Sequence, residues 1–117
     1  MLDISQMQEL QRRLQERYAG WWEPVDAERG VNKLMWMIAE VGEAAQILKR
    51  NGGHGIMEKE DIRADFVEEL CDVLMYFNDV LLCYDITPEE FEAVYRAKNA
   101  RNMTRWKKPV RNDEQIP

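Results

Sequence analysis

The sequence predicts an all-α protein, a compact bundle of about four helices. Apolar residues recur at helical spacing along most of the chain, and no run of alternating or β-branched residues indicates a strand. With 117 residues, of which 45% are hydrophobic, the chain is long enough for one domain with a modest core. We therefore expect a single helical domain over residues 1–108, followed by a polar tail over residues 109–117.

The first two helices are predicted from their apolar stripes. The first covers about Ser5 to Tyr18 and carries Met7, Leu10 and Leu14 on one face. The second covers about Gly30 to Arg50 and ends at Asn51-Gly52-Gly53, a sequence suited to a left-handed cap. The core stripe predicted for the second helix consists of Leu34, Ile38, Val41, Ala45 and Leu48.

The third helix, about Asp61 to Tyr84, is apolar over much of its circumference. Its stripe consists of Phe66, Leu70, Val73, Phe77 and Leu81, widened by Val67 and Leu74. Three short partner helices cannot cover so wide a surface, so we expect a homodimer or homotetramer. The loop from Gly52 to Glu60 should make the second and third helices antiparallel neighbours.

The fourth helix is predicted from its first turn. Thr87-Pro88-Glu89-Glu90 is typical of a capping box with proline at the first helical position, and the helix should run to about Met103.

Composition narrows the functional classes. A net charge of −6 argues against nucleic acid or an anionic membrane as the main partner. The N-terminus lacks the features of a signal peptide, and no stretch reaches the roughly 18 apolar residues of a membrane span.

Cys71 and Cys83 are separated by about 18 Å along one helix, beyond the reach of a disulfide, and we expect both to be buried free thiols. The expected location is cytoplasmic.

Two acidic doublets are the main functional indication. Glu40 and Glu43 are three residues apart on the second helix, and Glu69 and Asp72 are three residues apart on the third. Each doublet projects from one helix face among apolar residues, so four carboxylates should point inward. Because unpaired carboxylates are costly to bury, the cluster predicts a site for Mg²⁺ or Mn²⁺. Gly42, which costs up to about 1 kcal/mol inside a helix, predicts a close approach beside the acids.

Residues 30–106 resemble a known family. The segments from Ile38 to Ala45 and from Glu68 to Tyr76 are similar to the two motif helices of the MazG-like all-α nucleoside triphosphate pyrophosphohydrolases. This group includes the dCTP pyrophosphatases and dimeric dUTPases, and its signature is Glu-x-x-Glu followed by Glu-x-x-Asp. Some members carry a further acid before the first Glu, where this chain has Ala39.

The resemblance implies hydrolysis of a nucleoside triphosphate between the α- and β-phosphates, giving the monophosphate and pyrophosphate. Glu40, Glu43, Glu69 and Asp72 would bind Mg²⁺, with Mn²⁺ as a substitute, and the catalytic residues would be Glu40 and Glu43. Glu40 would serve as a metal ligand or as general base. Members similar to this chain also associate, often completing the pocket with a neighbouring subunit.

The candidate substrate-binding residues are Tyr76, Trp22, Lys98, Asn102 and Arg105. Tyr76 would line the sugar or base pocket, or only pack, and Trp22 would stack on a base or belong to the core. Lys98, Asn102 and Arg105 resemble the C-terminal motif of the family and would hold phosphates or sugar. The alternative is a solvated helix end.

Two other functions fit the same residues. Phosphoribosyl-ATP pyrophosphohydrolase performs the same bond chemistry on a different substrate. A non-catalytic helical interaction module would carry the acids as a solvated stripe, and it would gain almost no stability from Mg²⁺.

Overall fold

The protein is all-α in the computed structural model, which describes residues 1–106. This part of the chain contains no strand, and the predicted tail at 109–117, with residues 107 and 108, lies outside it. Its four helices are α1 (Ile4–Arg17), α2 (Gly30–Glu58), α3 (Glu60–Cys83) and α4 (Pro88–Arg105). None of these helices is long and apolar enough to cross a lipid bilayer.

Local capping explains where α1 and α4 begin. The Asp3 carboxylate accepts a hydrogen bond from the backbone N–H of Gln6 at 2.8 Å, and the Gln6 side chain accepts one from the backbone N–H of Asp3. At α4, the Thr87 hydroxyl accepts a hydrogen bond from the backbone N–H of Glu90, with Pro88 as the first helical residue. These bonds satisfy N–H groups that have no partner inside the helix.

The second helix does not end where the sequence predicted. Gly52 has a φ of +70° and a ψ of 169°, which interrupts the helix, but the helical course resumes and continues to Glu58. The predicted loop from Gly52 to Glu60 is therefore wrong, because only Lys59 separates α2 from α3. The last turns of α2 pack against the rest of the protein, since the side chain of Ile56 is buried. The glycine thus marks a kink instead of a helix end.

The α2–α3 hairpin is the main packing unit of the chain. Because a single residue joins them, the two helices lie antiparallel. We call their contact the seam. On α2 it is formed by the residues that lie one position before each member of the predicted stripe, namely Lys33, Met37, Glu40, Ala44 and Ile47. A shift of one position turns a helix by about 100°, so the seam takes in Glu40 itself.

The predicted apolar stripe is consequently exposed on the surface of the single chain. Ile38 is 53% exposed and Leu70 is 47% exposed. We call this surface the apolar outer face; it consists of Leu34, Ile38, Val41 and Leu48 on α2 and Val67, Leu70 and Leu74 on α3. These residues are not core within one chain, contrary to the prediction. Of the α3 stripe, Leu81 is buried and Phe66, Val73 and Phe77 are half-buried.

Polar side chains fill the contact between α1 and α3. Gln8 and Gln11 are buried, while Leu10 of the predicted stripe is exposed. Nε2 of Gln8 donates a hydrogen bond to the carbonyl oxygen of Ile86 at 3.0 Å. The fourth helix packs on α1, and the rings of Phe91 and Phe77 pack edge-to-face with centroids 5.3 Å apart. The interior of the chain is therefore unusually polar.

The two cysteines differ in burial. Cys83 is buried, as predicted, whereas Cys71 is exposed, contrary to the prediction. A Cβ at Gly42 would meet nothing within 4 Å, so the close approach predicted there is not made within residues 1–106.

The kink gives a test with neighbouring glycines. Gly52→Ala should lower the free energy of unfolding by about 1–3 kcal/mol, because its φ of +70° with extended ψ is strained for any side chain. Gly53→Ala is the control. A Cβ there meets nothing within 4 Å, so alanine should raise stability by up to about 1 kcal/mol. Urea unfolding of both variants measures the difference, and equal effects would contradict the kink.

Candidate metal centre and adjoining cavity

Three carboxylates meet in the seam. Glu40 projects from α2, and Glu69 and Asp72 project from successive turns of α3. One oxygen of each carboxylate lies within 4.8 Å of the other two. All three side chains are half-buried. The antiparallel packing thus brings the two doublets together, although the trio contains only one member of the first doublet.

The trio concentrates negative charge, and no basic side chain among residues 1–106 lowers the pKa of Glu69. The pKa of the Glu69 carboxyl rises from 4.5 to about 7, first because its side chain hydrogen-bonds to that of Glu40 and then because of burial. The negative charges of Glu40, Asp72 and Glu43 add to the rise. In addition, Oε2 of Glu69 is buried without a hydrogen-bond partner among residues 1–106. A cation between the carboxylates would relieve both the repulsion and the unsatisfied oxygen.

The donor set fits a hard divalent cation. Mg²⁺ is bound in proteins through one or two carboxylates with water and phosphate oxygens completing its coordination, and Mn²⁺ accepts the same ligands. Glu40, Glu69 and Asp72 supply that chemistry. Glu43 lies one turn further along α2 and is exposed, close enough to raise the pKa of Glu69 but outside the trio.

A cavity of about 380 Å³ opens beside the trio, with Glu40 and Asp72 in its wall. Its other walls include three aromatic side chains, Trp22, Trp36 and Tyr76. Trp22 stacks on Tyr18 with ring centroids 4.4 Å apart. The ring centroids of Trp36 and Tyr76 lie 5.9 Å apart. Burial and the charges of Glu40, Asp79 and Asp72 raise the pKa of the Tyr76 hydroxyl. Aromatic walls next to a cation site are suited to a ligand that has both a flat ring and anionic groups.

The far end of this cavity holds two buried charged residues that the sequence analysis did not identify. Asp79 is 2% exposed and Lys33 is 3% exposed. Nε2 of Gln11 donates to Oδ1 of Asp79 at 2.9 Å, and Nε2 of Gln15 lies 3.3 Å from each Asp79 oxygen. Burial raises the pKa of the Asp79 carboxyl, opposed by the Gln11 hydrogen bond, the Lys33 charge and the Gln15 hydrogen bond.

Lys33 is held by a carbonyl group and an aromatic ring. Its Nζ donates to the carbonyl oxygen of Glu23 at 3.3 Å and lies 5.1 Å from the centre of the Trp36 ring. The spacing in the sequence did contain an indication of this cluster. Lys33 precedes Glu40 by seven residues and Asp79 follows Asp72 by seven, which places each on the same helix face as the acid.

The three α4 candidates lie apart from the cavity in one chain. Lys98 and Arg105 line a different surface depression, together with Arg101 and Thr104. Oδ1 of Asn102 is buried and has no hydrogen-bond partner in the described part of the chain. The cavity beside the trio therefore includes Trp22 and Tyr76 but not Lys98, Asn102 or Arg105.

No protein-family model, curated protein or solved structure matches this chain. Its function must therefore be inferred from the placement of its own residues.

The clustered acids give a pH prediction for the metal-free protein. Because folding raises the pKa of Glu69 from 4.5 to about 7, the folded state keeps a proton that the unfolded state loses in this range. Stability should fall as the pH rises from about 4.5 to about 7. Glu69→Gln removes this contribution. Unfolding midpoints measured in EDTA should therefore decline less with pH for the variant, and identical declines would contradict the clustering.

Proposed function

We propose that this protein is a metal-dependent nucleotide pyrophosphohydrolase that converts a nucleoside triphosphate to its monophosphate and pyrophosphate. The observation that carries the proposal is the half-buried carboxylate trio of Glu40, Glu69 and Asp72, two of which, Glu40 and Asp72, line an aromatic-walled cavity. A triphosphate bound through cations at the trio would extend its nucleoside into that cavity.

In the proposed reaction, the candidate site residues would have different roles. Glu40, Glu69 and Asp72 would hold Mg²⁺ or Mn²⁺, which screens the phosphate charge and stabilises the leaving pyrophosphate. Glu43 is exposed beside the trio, where its carboxylate could accept a proton from the attacking water. Tyr76 and Trp22 would contact the sugar or base.

Burial of the trio favours this proposal over a non-catalytic interaction module. Acids on a solvated helix stripe would keep water around each carboxylate. Here an oxygen of Glu69 is buried with no donor among residues 1–106, and the pKa of its carboxyl rises to about 7. The bond chemistry of a phosphoribosyl-ATP pyrophosphohydrolase is the same, and a substrate panel separates the two activities.

We also propose that the active form is a homodimer or homotetramer. The apolar outer face is too extensive for an ordinary monomer surface. Gly42 lies on the exposed side of α2, where the lack of a side chain allows a close approach by another helix. A second copy could also bring Lys98, Asn102 and Arg105 of its own α4 to the phosphates.

The first test is the reaction itself together with two isosteric substitutions. With Mg²⁺, the protein should release pyrophosphate from a nucleoside triphosphate. Glu69→Gln and Asp72→Asn keep the shape of the side chain but remove a charge from the trio. Each should lower turnover by two orders of magnitude or more, which is about 3 kcal/mol of transition-state stabilisation. Each should also reduce the rise in melting temperature that Mg²⁺ produces.

Glu68→Gln is the matched control because Glu68 is exposed on the same helix. It should change neither turnover nor the response to Mg²⁺. Release of orthophosphate in place of pyrophosphate would exclude the proposed reaction. Loss of activity in Glu68→Gln as large as in Glu69→Gln would exclude the proposed site.

The second test concerns assembly. Light scattering at micromolar concentration should give the mass of two or four chains. The double variant Ile38→Glu and Leu70→Glu places two charges on the apolar outer face and should shift the mass towards one chain. Lys49→Glu, an exposed polar position on α2, is the control. A single-chain mass for the unmodified protein would contradict the proposed assembly.

A further inference from the structure

The end of the cavity opposite the carboxylate trio has its own chemistry. It combines a buried carboxylate, Asp79, with a buried ammonium group, Lys33, and the amides of Gln11 and Gln15. None of these groups is needed to bind a divalent cation at the trio. Burying them is costly unless their hydrogen bonds are satisfied, so their common position on the cavity wall calls for an explanation.

We infer that this end is the base subsite and that Asp79 selects nucleotides whose base carries an exocyclic amino group. The inference rests on the proposed function, because the trio must hold the phosphates for the base to reach this end. It goes beyond that function because it proposes that a residue outside the metal centre, Asp79, determines which class of nucleotide is accepted.

The dimensions of the seam agree with this placement. Asp79 lies seven residues beyond Asp72 on α3, and Lys33 lies seven residues before Glu40 on α2. Because the helices are antiparallel, both steps lead in the same direction, by about 10 Å along the helix axes. A nucleoside attached to phosphates at the trio would extend its base along this direction. Trp36 and Tyr76 lie between the two ends and offer faces for the sugar and the ring.

Asp79 limits which base edge can face it. An ionised carboxylate only accepts hydrogen bonds and has about four lone-pair positions. Gln11 and Gln15 donate to it in three contacts, at 2.9, 3.3 and 3.3 Å, so capacity for a further donor remains. An amino group would supply that donor. A carbonyl oxygen at the same ring position would face the carboxylate with lone pairs, leaving both groups unsatisfied in a buried setting.

Lys33 supplies the complementary donor. Its ammonium group has three N–H bonds, and the carbonyl oxygen of Glu23 accepts one of them at 3.3 Å. The remaining donors can reach a ring nitrogen or carbonyl oxygen on the base. Amino bases present an exocyclic donor beside a ring acceptor, which matches the order of Asp79 and Lys33. Oxo bases present these two groups in the opposite order.

The test uses two pairs of substrates that differ mainly in this edge: dCTP against dUTP, and dATP against dITP. For the unmodified protein with Mg²⁺, kcat/KM should be at least about tenfold higher for the amino member of each pair.

Asp79→Asn keeps the size of the side chain but adds an amide donor. Gln15 can rotate its amide to accept from it, so the fold should tolerate the change. The preference should then disappear or reverse.

Asp65→Asn, an exposed change on the same helix, should leave both ratios unchanged. Binding gives a readout independent of turnover. With Mg²⁺, dCMP should raise the melting temperature of the unmodified protein more than dUMP does, and Asp79→Asn should abolish the difference.

The outcomes separate the two proposals. If no triphosphate is hydrolysed but dCMP binds in preference to dUMP, the proposed reaction fails and the base subsite stands. If hydrolysis occurs without an amino preference, the subsite assignment is overturned by the unmodified protein alone. A purely structural Asp79 would lower all four kcat/KM values by one common factor in Asp79→Asn, and that result also overturns the assignment.

Discussion

The structure depends above all on the packing of α2 against α3. This packing brings like charges close together. Glu40, Glu69 and Asp72 lie in the seam itself. The hydrogen bond between the Glu69 and Glu40 side chains, burial and the neighbouring negative charges raise the pKa of Glu69. One oxygen of Glu69 is buried without a donor among residues 1–106. A helical hairpin held only by its own contacts would gain from neutral residues here. The retained charges support the proposed cation site.

The same packing explains why the apolar residues lie outside. Apolar residues occupy two faces of α2, and only one of these faces can pack against α3. The seam takes Lys33 and Glu40 from α2, so Ile38 and Val41 remain on the outer face. Covering that face requires another surface, since residues 1–106 contain no further helix to place there. The proposed cation site and the proposed assembly thus both rest on one choice of helix face.

The cavity connects two chemically opposite ends. At one end, three carboxylates lie close together. At the other, Asp79 is supported by two glutamine amides and the Lys33 ammonium group. Hydrogen bonds are strengthened and mismatches penalised where water is excluded, so the second end is suited to discrimination and the first to charge neutralisation. Aromatic side chains separate the ends. A nucleotide has this same division into anionic, flat and hydrogen-bonding parts.

Local sequence determined the helices, because apolar spacing and capping residues act within a few positions of each other. The start of α4 at Thr87-Pro88 and the pairing of Glu69 with Asp72 on one face both follow from such short-range geometry. Tertiary structure alone decided which face of α2 meets α3 and that Gly52 kinks the helix. It also decided that Lys33 and Asp79 share a cavity and that Lys98 lies apart from it. These features depend on competition between whole surfaces. The seven-residue spacing places Lys33 and Asp79 on the helix faces of the acids, but only the packing of the helices determines which groups satisfy them once they are buried.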